Sequence, residues 1–289
     1  MNDSRPASPR LSIQNHDRDS AGLTYVYPVV SRRAGGVSIG INLNVNNACN
    51  WRCIYCQVPN LQRGAPPPVD VARIRDELRE FVRDVLEGDF MQRAVPEGAR
   101  RLNDIALSGN GEPTSAKEFA AVVDVIGEVR RDMNMPKDVK TVLITNGSLV
   151  HQHRIQDGLR NLRALNGEIW FKLDSATRQG RQRINDTRSG MRQVARNLAL
   201  AAKACPTWLQ TCVLAMDGQA PSTVEQQAYL DFVAQQVADG IPLQGVLLYG
   251  LARPSHQPEA KRLSALAPAW LEAYAGRIRA LGLPVKVSV

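Results

Sequence analysis

Apolar residues recur along the chain with two alternating periods. From Val37 onward, short β-rich apolar runs are each followed by a longer run in which apolar positions return every three or four residues. The short runs predict strands over 37–45, 104–107, 139–145, 168–174, 208–215 and 246–249. The longer ones predict helices over 69–86, 116–131, 152–162, 191–204, 222–238 and 267–281. The strand runs are short and mostly apolar, as strands covered on both faces must be. Ser222, three residues ahead of Glu225, marks a helix start. Six strand–helix units in series specify a parallel α/β sheet with right-handed crossovers. They fall short of a closed eight-stranded barrel. A partial (βα)6 barrel or a doubly wound sheet follows, and both place function at the carboxyl ends of the strands and in the loops after them.

The segments outside this alternation set the expected organisation. Residues 1–22 are polar, with two prolines and no periodic pattern, and are expected to form a disordered tail. Residues 23–250 are expected to form the partial-barrel core, and 251–289 a C-terminal helical cap and strand. Ala65-Pro66-Pro67-Pro68 is a stiff connector ahead of the first helix. At 289 residues, 44% hydrophobic and 22% charged, the chain has an ordinary globular composition and can bury a large core without staples. That composition excludes a collagen, a mucin or a disulfide mini-protein. No run approaches the roughly 20 apolar residues of a membrane helix, so no membrane partner is expected. The first residues lack the apolar centre of a secretory signal, which predicts a cytoplasmic location. A formal net charge of +8 favours an anionic partner such as nucleic acid, a nucleotide or an acidic substrate, or simply a solubilising surface.

The five cysteines change the picture most. Cys49, Cys53 and Cys56 fall in the loop after the first predicted strand; Cys205 lies just before the fifth and Cys212 within it. An odd, clustered set points to metal or redox chemistry rather than a disulfide framework. Three thiolates this close in sequence can wrap one soft metal centre. Structural zinc sites close with a fourth Cys or His, and the next histidine downstream is His151. A four-iron cluster held by three thiolates leaves one iron open. Cys205 and Cys212 are expected to be buried free thiols.

The following loops carry further candidates. Ser108-Gly109-Asn110-Gly111-Glu112-Pro113-Thr114 is a Gly-rich turn suited to close backbone approach, and the Glu112 carboxylate can accept from a protonated amine. Thr145-Asn146-Gly147 and Lys172-Leu173-Asp174-Ser175 put small polar or acidic groups at the ends of the third and fourth strands. Asp174 is a candidate hydroxyl acceptor, and Lys172 is expected to be a buried partner for an acid. Residues 178–196 hold six arginines against the single acid Asp186, forming either a solvated face or an anion-binding rim.

The Cys-x3-Cys-x2-Cys spacing, placed after the first strand of a βα series, resembles the radical S-adenosylmethionine (radical SAM) superfamily. The resemblance implies that Cys49, Cys53 and Cys56 hold a [4Fe–4S] cluster whose fourth iron takes the amino and carboxylate groups of S-adenosylmethionine (SAM). It implies reductive cleavage of SAM to a 5′-deoxyadenosyl radical that abstracts hydrogen from a substrate. It also implies that Tyr55 lies beside the adenine, that Asn110, Gly111 and Glu112 match the family's Gly-Gly-Glu-Pro motif at the SAM amino group, and that Asn146 and Asp174 contact the methionyl and ribose parts. Asn110 departs from the motif's glycine; asparagine is the next residue to tolerate a positive φ there. An electron donor such as flavodoxin or ferredoxin is implied as partner. The substrate is expected to be anionic: tRNA, a nucleotide or a peptide. Ser31-Arg32-Arg33 with Gly35, Gly36, Ser38 and Gly40 is similar to the wyosine-synthase branch, but no cysteine precedes Cys49, so the basis for that branch's second cluster is missing. Two alternatives remain at this point. One is an activase that makes a glycyl radical on a partner enzyme. The other is a non-catalytic zinc protein associated with nucleic acid.

Overall fold

The computed structural model of the chain describes Leu11, residues 22–31 and residues 35–288. Eight strands form one sheet: β1 (Val26–Ser31), β2 (Gly36–Ile41), β3 (Leu102–Leu107), β4 (Lys140–Thr145), β5 (Gly167–Lys172), β6 (Thr207–Val213), β7 (Leu243–Gly250) and β8 (Val285–Ser288). They lie side by side in chain order. β1 is antiparallel to β2, and every later neighbour pair is parallel. The sheet curls into a half-barrel, since residues of β1 and β7 line one common cavity. The expected partial barrel with its C-terminal helix and strand is therefore the architecture present.

Among the described residues seven helices of eight residues or more accompany the strands, besides the one-turn helix Phe90–Ala94: α1 (Val71–Leu86), α2 (Phe119–Asp132), α3 (His153–Arg163), α4 (Arg178–Asn185), α5 (Met191–Ala204), α6 (Thr223–Ala238) and α7 (Pro268–Arg279). Three of them carry a side-chain cap at the start. Asp70 caps α1, its side chain accepting from Arg73 N at 3.0 Å. Thr177 caps α4, accepting from Gly180 N at 2.9 Å, and Asp186 ends that helix in the left-handed region at φ 49°. Ser222 caps α6, as its spacing predicts. Glu225 does not complete a capping box but accepts from the Ser175 and Thr177 hydroxyls, both at 2.6 Å.

Side chains alternate across the strands, so the sheet has two cores. The outer face, with Ile39, Ile105, Leu143, Phe171, Leu209 and Leu248, packs against the helices in one large cluster. The inner face holds only a small apolar layer, Ala106, Val142, Trp170 and Leu247. Its remaining positions are mostly polar, and they make the site.

The structure differs from the sequence expectation in three places. The first barrel strand stops at Ile41, because Asn42 and Asn44 turn their side chains onto nearby backbone: Asn42 Oδ1 accepts from Asn44 N at 3.1 Å and Asn44 Nδ2 donates to Ala48 O at 2.8 Å. The antiparallel strand β1 was not expected; it carries Pro28, which an edge strand tolerates. The arginine-rich stretch begins with a helix of its own, α4. Within the segment expected to be a tail, Leu11 is buried and donates its N–H to Ala94 O at 2.8 Å. Gly22 is the other described residue there, and the rest of 1–22 lies outside the described residues, as do Arg32 and Arg33. Among the described residues, no helix is long and apolar enough to cross a membrane.

Candidate metal and cofactor centre

A cavity of about 300 Å³ opens at the carboxyl ends of the strands. Cys49, Cys53 and Cys56 all line it, together with Tyr55, Asn110, Gly111, Glu112 and Asn146. Eight of the nine residues singled out from the sequence are thus brought to one place. The ninth, Asp174, lies behind Tyr55, accepting its hydroxyl at 2.5 Å.

The cysteine loop is held on several sides. Residues Ala48–Cys49 pair in parallel with Gln62–Arg63, closing the loop on itself. Arg63 donates to Asn50 O and Asp186 O. From α4, Ile184 O and Asn185 O accept from Ile54 N at 2.8 Å and Arg52 N at 3.2 Å. The segment after β7 straps the other side. His256 N donates to Cys56 O at 2.9 Å, Ser255 Oγ to Ile54 O at 2.7 Å, and Gln257 Nε2 to Val58 O at 3.1 Å. Arg52 and Glu259 add a two-pronged ion pair, both N–O distances 2.9 Å. Nothing in the sequence pattern announced this strap: its residues are ordinary polar ones in a loop, and only the sheet's curl carries them to the cysteines.

The thiols sit in a protein-enclosed setting. Burial pushes Cys53 up to about 12, against the lowering effects of Lys172 and the Asn185 amide, which donates to its sulfur at 3.3 Å. Burial pushes Cys49 up to about 11, against the Trp51 N–H at 3.4 Å from its sulfur. Free thiols here stay protonated, and a bound cation would displace those protons. Among the described residues no three His, Cys, Asp or Glu side chains are grouped as a single metal ion requires. His256, whose backbone bonds to Cys56, has an exposed side chain and does not line the cavity.

The Gly-rich loop after β3 packs directly on the cysteine loop. A Cβ on Gly111 would stand 2.2 Å from Ala48 O, which explains the glycine. The positive φ in this turn belongs to Gly109, at +147°, and not to Asn110 as the motif comparison suggested. Asn110 donates Nδ2 to Asn47 Oδ1 at 2.6 Å, while its own Oδ1 is buried with no partner. Glu112 is fully engaged by the protein. One oxygen accepts from the Thr114 and Thr145 hydroxyls, both at 2.6 Å, and the other from Asn146 N at 2.6 Å. Burial raises its carboxyl above the ordinary value in spite of those bonds. It acts as a brace between the β3 and β4 loops. Asn146 Nδ2 in turn donates to Asn50 Oδ1 at 2.8 Å, tying β4 to the cysteine loop.

Asp174 is likewise spent on protein donors: Tyr55 Oη, Asn185 Nδ2 at 2.6 Å and Cys212 N at 2.9 Å. Lys172 does not pair with an acid. Its Nζ donates to Tyr249 Oη at 3.2 Å and lies 5.1 Å from the Tyr55 ring centre, with no carboxylate at ion-pair distance among the described residues. Burial alone would lower its ammonium, but Tyr249 and Asp174 outweigh this and raise it, so Lys172 stays charged. Cys205 is a buried thiol donating to Gly167 O at 3.3 Å. Cys212 is also buried, yet lines the cavity. None of the six arginines of 178–196 lines it; the cavity's guanidinium is Arg253. Arg181 is buried, donating to Ser189 O at 2.6 Å with its guanidinium 5.9 Å from the Trp51 ring.

The chain was also compared with known proteins. A sequence profile of the Radical SAM superfamily matches residues 43–226. A UPF0026 protein of Helicobacter pylori is 25% identical over 159 residues, which make up 55% of this chain and 44% of the relative. The GTP 3′,8-cyclase of Nautilia profundicola is 30% identical over 113 residues, 39% of this chain and 29% of the relative. The matched part is thus less than half of either relative. Among solved structures, HydG, a maturase of the [FeFe]-hydrogenase, aligns with a TM-score of 0.55 at 12% identity, covering 84% of this chain and 48% of that one. A spore photoproduct lyase variant aligns with a TM-score of 0.55 at 10% identity, covering 83% and 74%. At these identities the structural likeness is one of fold.

Proposed function

The chain belongs to the radical SAM superfamily, whose members use a [4Fe–4S] cluster and SAM and need an electron donor, and on that premise we propose that Cys49, Cys53 and Cys56 ligate the cluster in this protein. The observation that carries the reading is the convergence of three thiols from eight consecutive residues on one cavity that also holds an unpartnered, buried acceptor, Asn110 Oδ1. That donor set suits the group: soft sulfurs for iron, and an oxygen free to accept from the ammonium of a SAM methionyl end. When bound and reduced, the cluster supplies the electron that cleaves the sulfonium of SAM and so starts hydrogen abstraction from a substrate.

The chain's own residues bind, orient and exclude water. Gly111 lets the β3 loop close on the cysteine loop. Glu112 and Asp174 act through what they hold: Glu112 sets the relative position of the β3 and β4 loops, and Asp174 sets the Tyr55 ring. Asn146 orients Asn50 next to Cys49. Tyr55, partly buried in the cavity wall, offers a flat face for a nucleobase. The electron donor is a flavodoxin or ferredoxin class protein, and the substrate is anionic, in keeping with the unpaired ammonium of Lys172 in the cavity.

The test is anaerobic. The protein is reconstituted with iron and sulfide, reduced with dithionite and given SAM, and 5′-deoxyadenosine is measured. The wild type is expected to bind about four irons and to release 5′-deoxyadenosine, and Cys53→Ala to do neither. Full activity in Cys53→Ala, or stoichiometric zinc with no iron, overturns the assignment.

A further inference from the structure

Among the described residues, the inner face of the barrel holds a polar side chain with no hydrogen-bond partner in the protein at either end. Gln210 is 1% exposed, and neither its Nε2 nor its Oε1 has a partner. Its neighbours on that face are paired. Ser38 Oγ donates to Asp104, Tyr27 Oη and Ser108 Oγ share a hydrogen bond of 3.0 Å, and Trp170 Nε1 donates to Glu168 at 2.9 Å. Buried amides are satisfied almost without exception in folded proteins, so one left with both ends open in a cavity wall marks a place where something else binds.

What lies beside it narrows the ligand. The strand register sets Gln210 directly opposite Lys172. Both side chains line the cavity, and Tyr249 of β7 completes the arc. Lys172 makes no contact ion pair among the described residues: its hydrogen bond is to the Tyr249 hydroxyl, and Asp174, whose charge acts on it from a distance, is already occupied by three donors. An ammonium with donors to spare needs an anion. An adjacent carboxamide needs an acceptor for its N–H2 and a donor for its C=O. The small apolar layer flanks the pair, with Trp170 one inward position earlier on the Lys172 strand and Leu247 opposite Gln210 on β7.

We propose that Lys172 and Gln210 are the substrate-recognition pair of this barrel, and that they read a compact carboxylate bearing an N–H or O–H donor on the next carbon, as at the end of an α-hydroxy or α-amino acid. The carboxylate sits on Lys172 and accepts from Gln210 Nε2; the neighbouring donor is given to Gln210 Oε1. This deepens the radical SAM reading, on which it rests for the reaction, by stating the chemical class of the substrate's anchoring end.

The experiment measures binding by ligand-observed NMR on the full, reconstituted chain, without reductant or SAM. The probes are glycolate, glycine, acetate and glycolamide. The wild type is expected to bind glycolate and glycine, to bind acetate at least threefold more weakly, and to ignore glycolamide. Lys172→Met should weaken glycolate at least tenfold. Gln210→Met should erase the preference for glycolate over acetate and weaken acetate as well, since the Nε2 donor to the carboxylate is lost, and Gln210→Glu should abolish both. Because the Gln210 amide bonds to no other protein group, Gln210→Met should melt no lower than the wild type. The proposal is overturned if no probe binds, if glycolate and acetate bind alike in the wild type, if Lys172→Met changes nothing, or if Gln210→Met clearly lowers the melting temperature. Binding here is read independently of SAM cleavage, so loss of this proposal leaves the cluster assignment standing, and a failure to form 5′-deoxyadenosine leaves this one standing.

Discussion

The side-chain amide of Asn185, at the end of α4, donates to the sulfur of Cys53 across 132 residues of sequence, at 3.3 Å. The same Nδ2 also donates to Asp174 at 2.6 Å, so its direction is set by a second bond. Hydrogen bonds to cluster sulfurs stabilise the reduced, more negative state. Asn185→Leu should therefore shift the reduction potential of the reconstituted cluster to a more negative value and lower its occupancy. A redox titration followed by electron paramagnetic resonance reads the shift, and an unchanged potential would show that the contact is lost once iron is bound.

The two loops that form the cavity meet at Gly111. An alanine there would force its Cβ to 2.2 Å from Ala48 O and 2.5 Å from the Asn44 amide, which are backbone and well-anchored side-chain atoms. Gly111→Ala should cost about 1–3 kcal/mol of stability, as overpacking does, and should reduce iron retention along with it. Gly98, whose added Cβ would meet nothing within 4 Å, is the control. Chemical denaturation of both variants, with iron content alongside, makes the comparison. Equal behaviour of the two would remove the packing explanation.

Thiol identity gives a third expectation. Cys205→Ala should leave iron content and 5′-deoxyadenosine formation at wild-type levels, because that sulfur is buried away from the cavity. Cys212→Ala should also retain iron, although its thiol lines the cavity wall, since it lies outside the cysteine loop. Iron loss in Cys212→Ala would make it a fourth ligand.

The strap over the cysteine loop carries a pH signature. The Arg52 guanidinium bonded to Glu259 holds that carboxyl below its ordinary value of 4.5. A lowered folded-state value means the pair contributes above pH 4.5 and its contribution is lost as pH falls through the lowered value. Both partners are partly exposed, so the contribution is up to about 1 kcal/mol. The stability difference between wild type and Glu259→Gln should stay constant from about pH 8 to about pH 5 and shrink steadily as the pH falls below 4.5. Urea titrations of the apo protein across that range decide it; a difference that grows on acidification contradicts the assignment.

Most of the fold is legible in the chain because both of its periods arise from local geometry. A strand alternates its side chains and a helix repeats them every 3.6 residues, so six strand–helix units stand out without reference to anything distant. The features that escaped notice are those whose cues conflict or are weak. Pro28 disguises β1, whose place at the sheet edge makes the proline harmless. The asparagines after Ile41 prolong an apolar run in appearance while folding back onto their own backbone.

The candidate site divides along the same line. Covalent spacing alone brings Cys49, Cys53 and Cys56 together, since an eight-residue loop cannot scatter them, and the Gly-rich turn declares its purpose through Gly109 and Gly111. The chain by itself therefore determined the parallel α/β sheet, the soft-donor centre and the loops that surround it, while the curl into a half-barrel rather than a doubly wound sheet came from the structure. It could not determine the company those groups keep. Whether Glu112 and Asp174 face a ligand or brace the protein depends on donors from Thr145, Asn146, Asn185 and Cys212, which arrive from other strands and helices. Whether Lys172 finds an acid or stands opposite an unsatisfied Gln210 depends on strand register. A one-residue slip in register would turn every inward side chain outward, and the register is set by packing of the whole outer face against the helices. Polar partnership in this protein is a long-range property, and only the tertiary structure decided it.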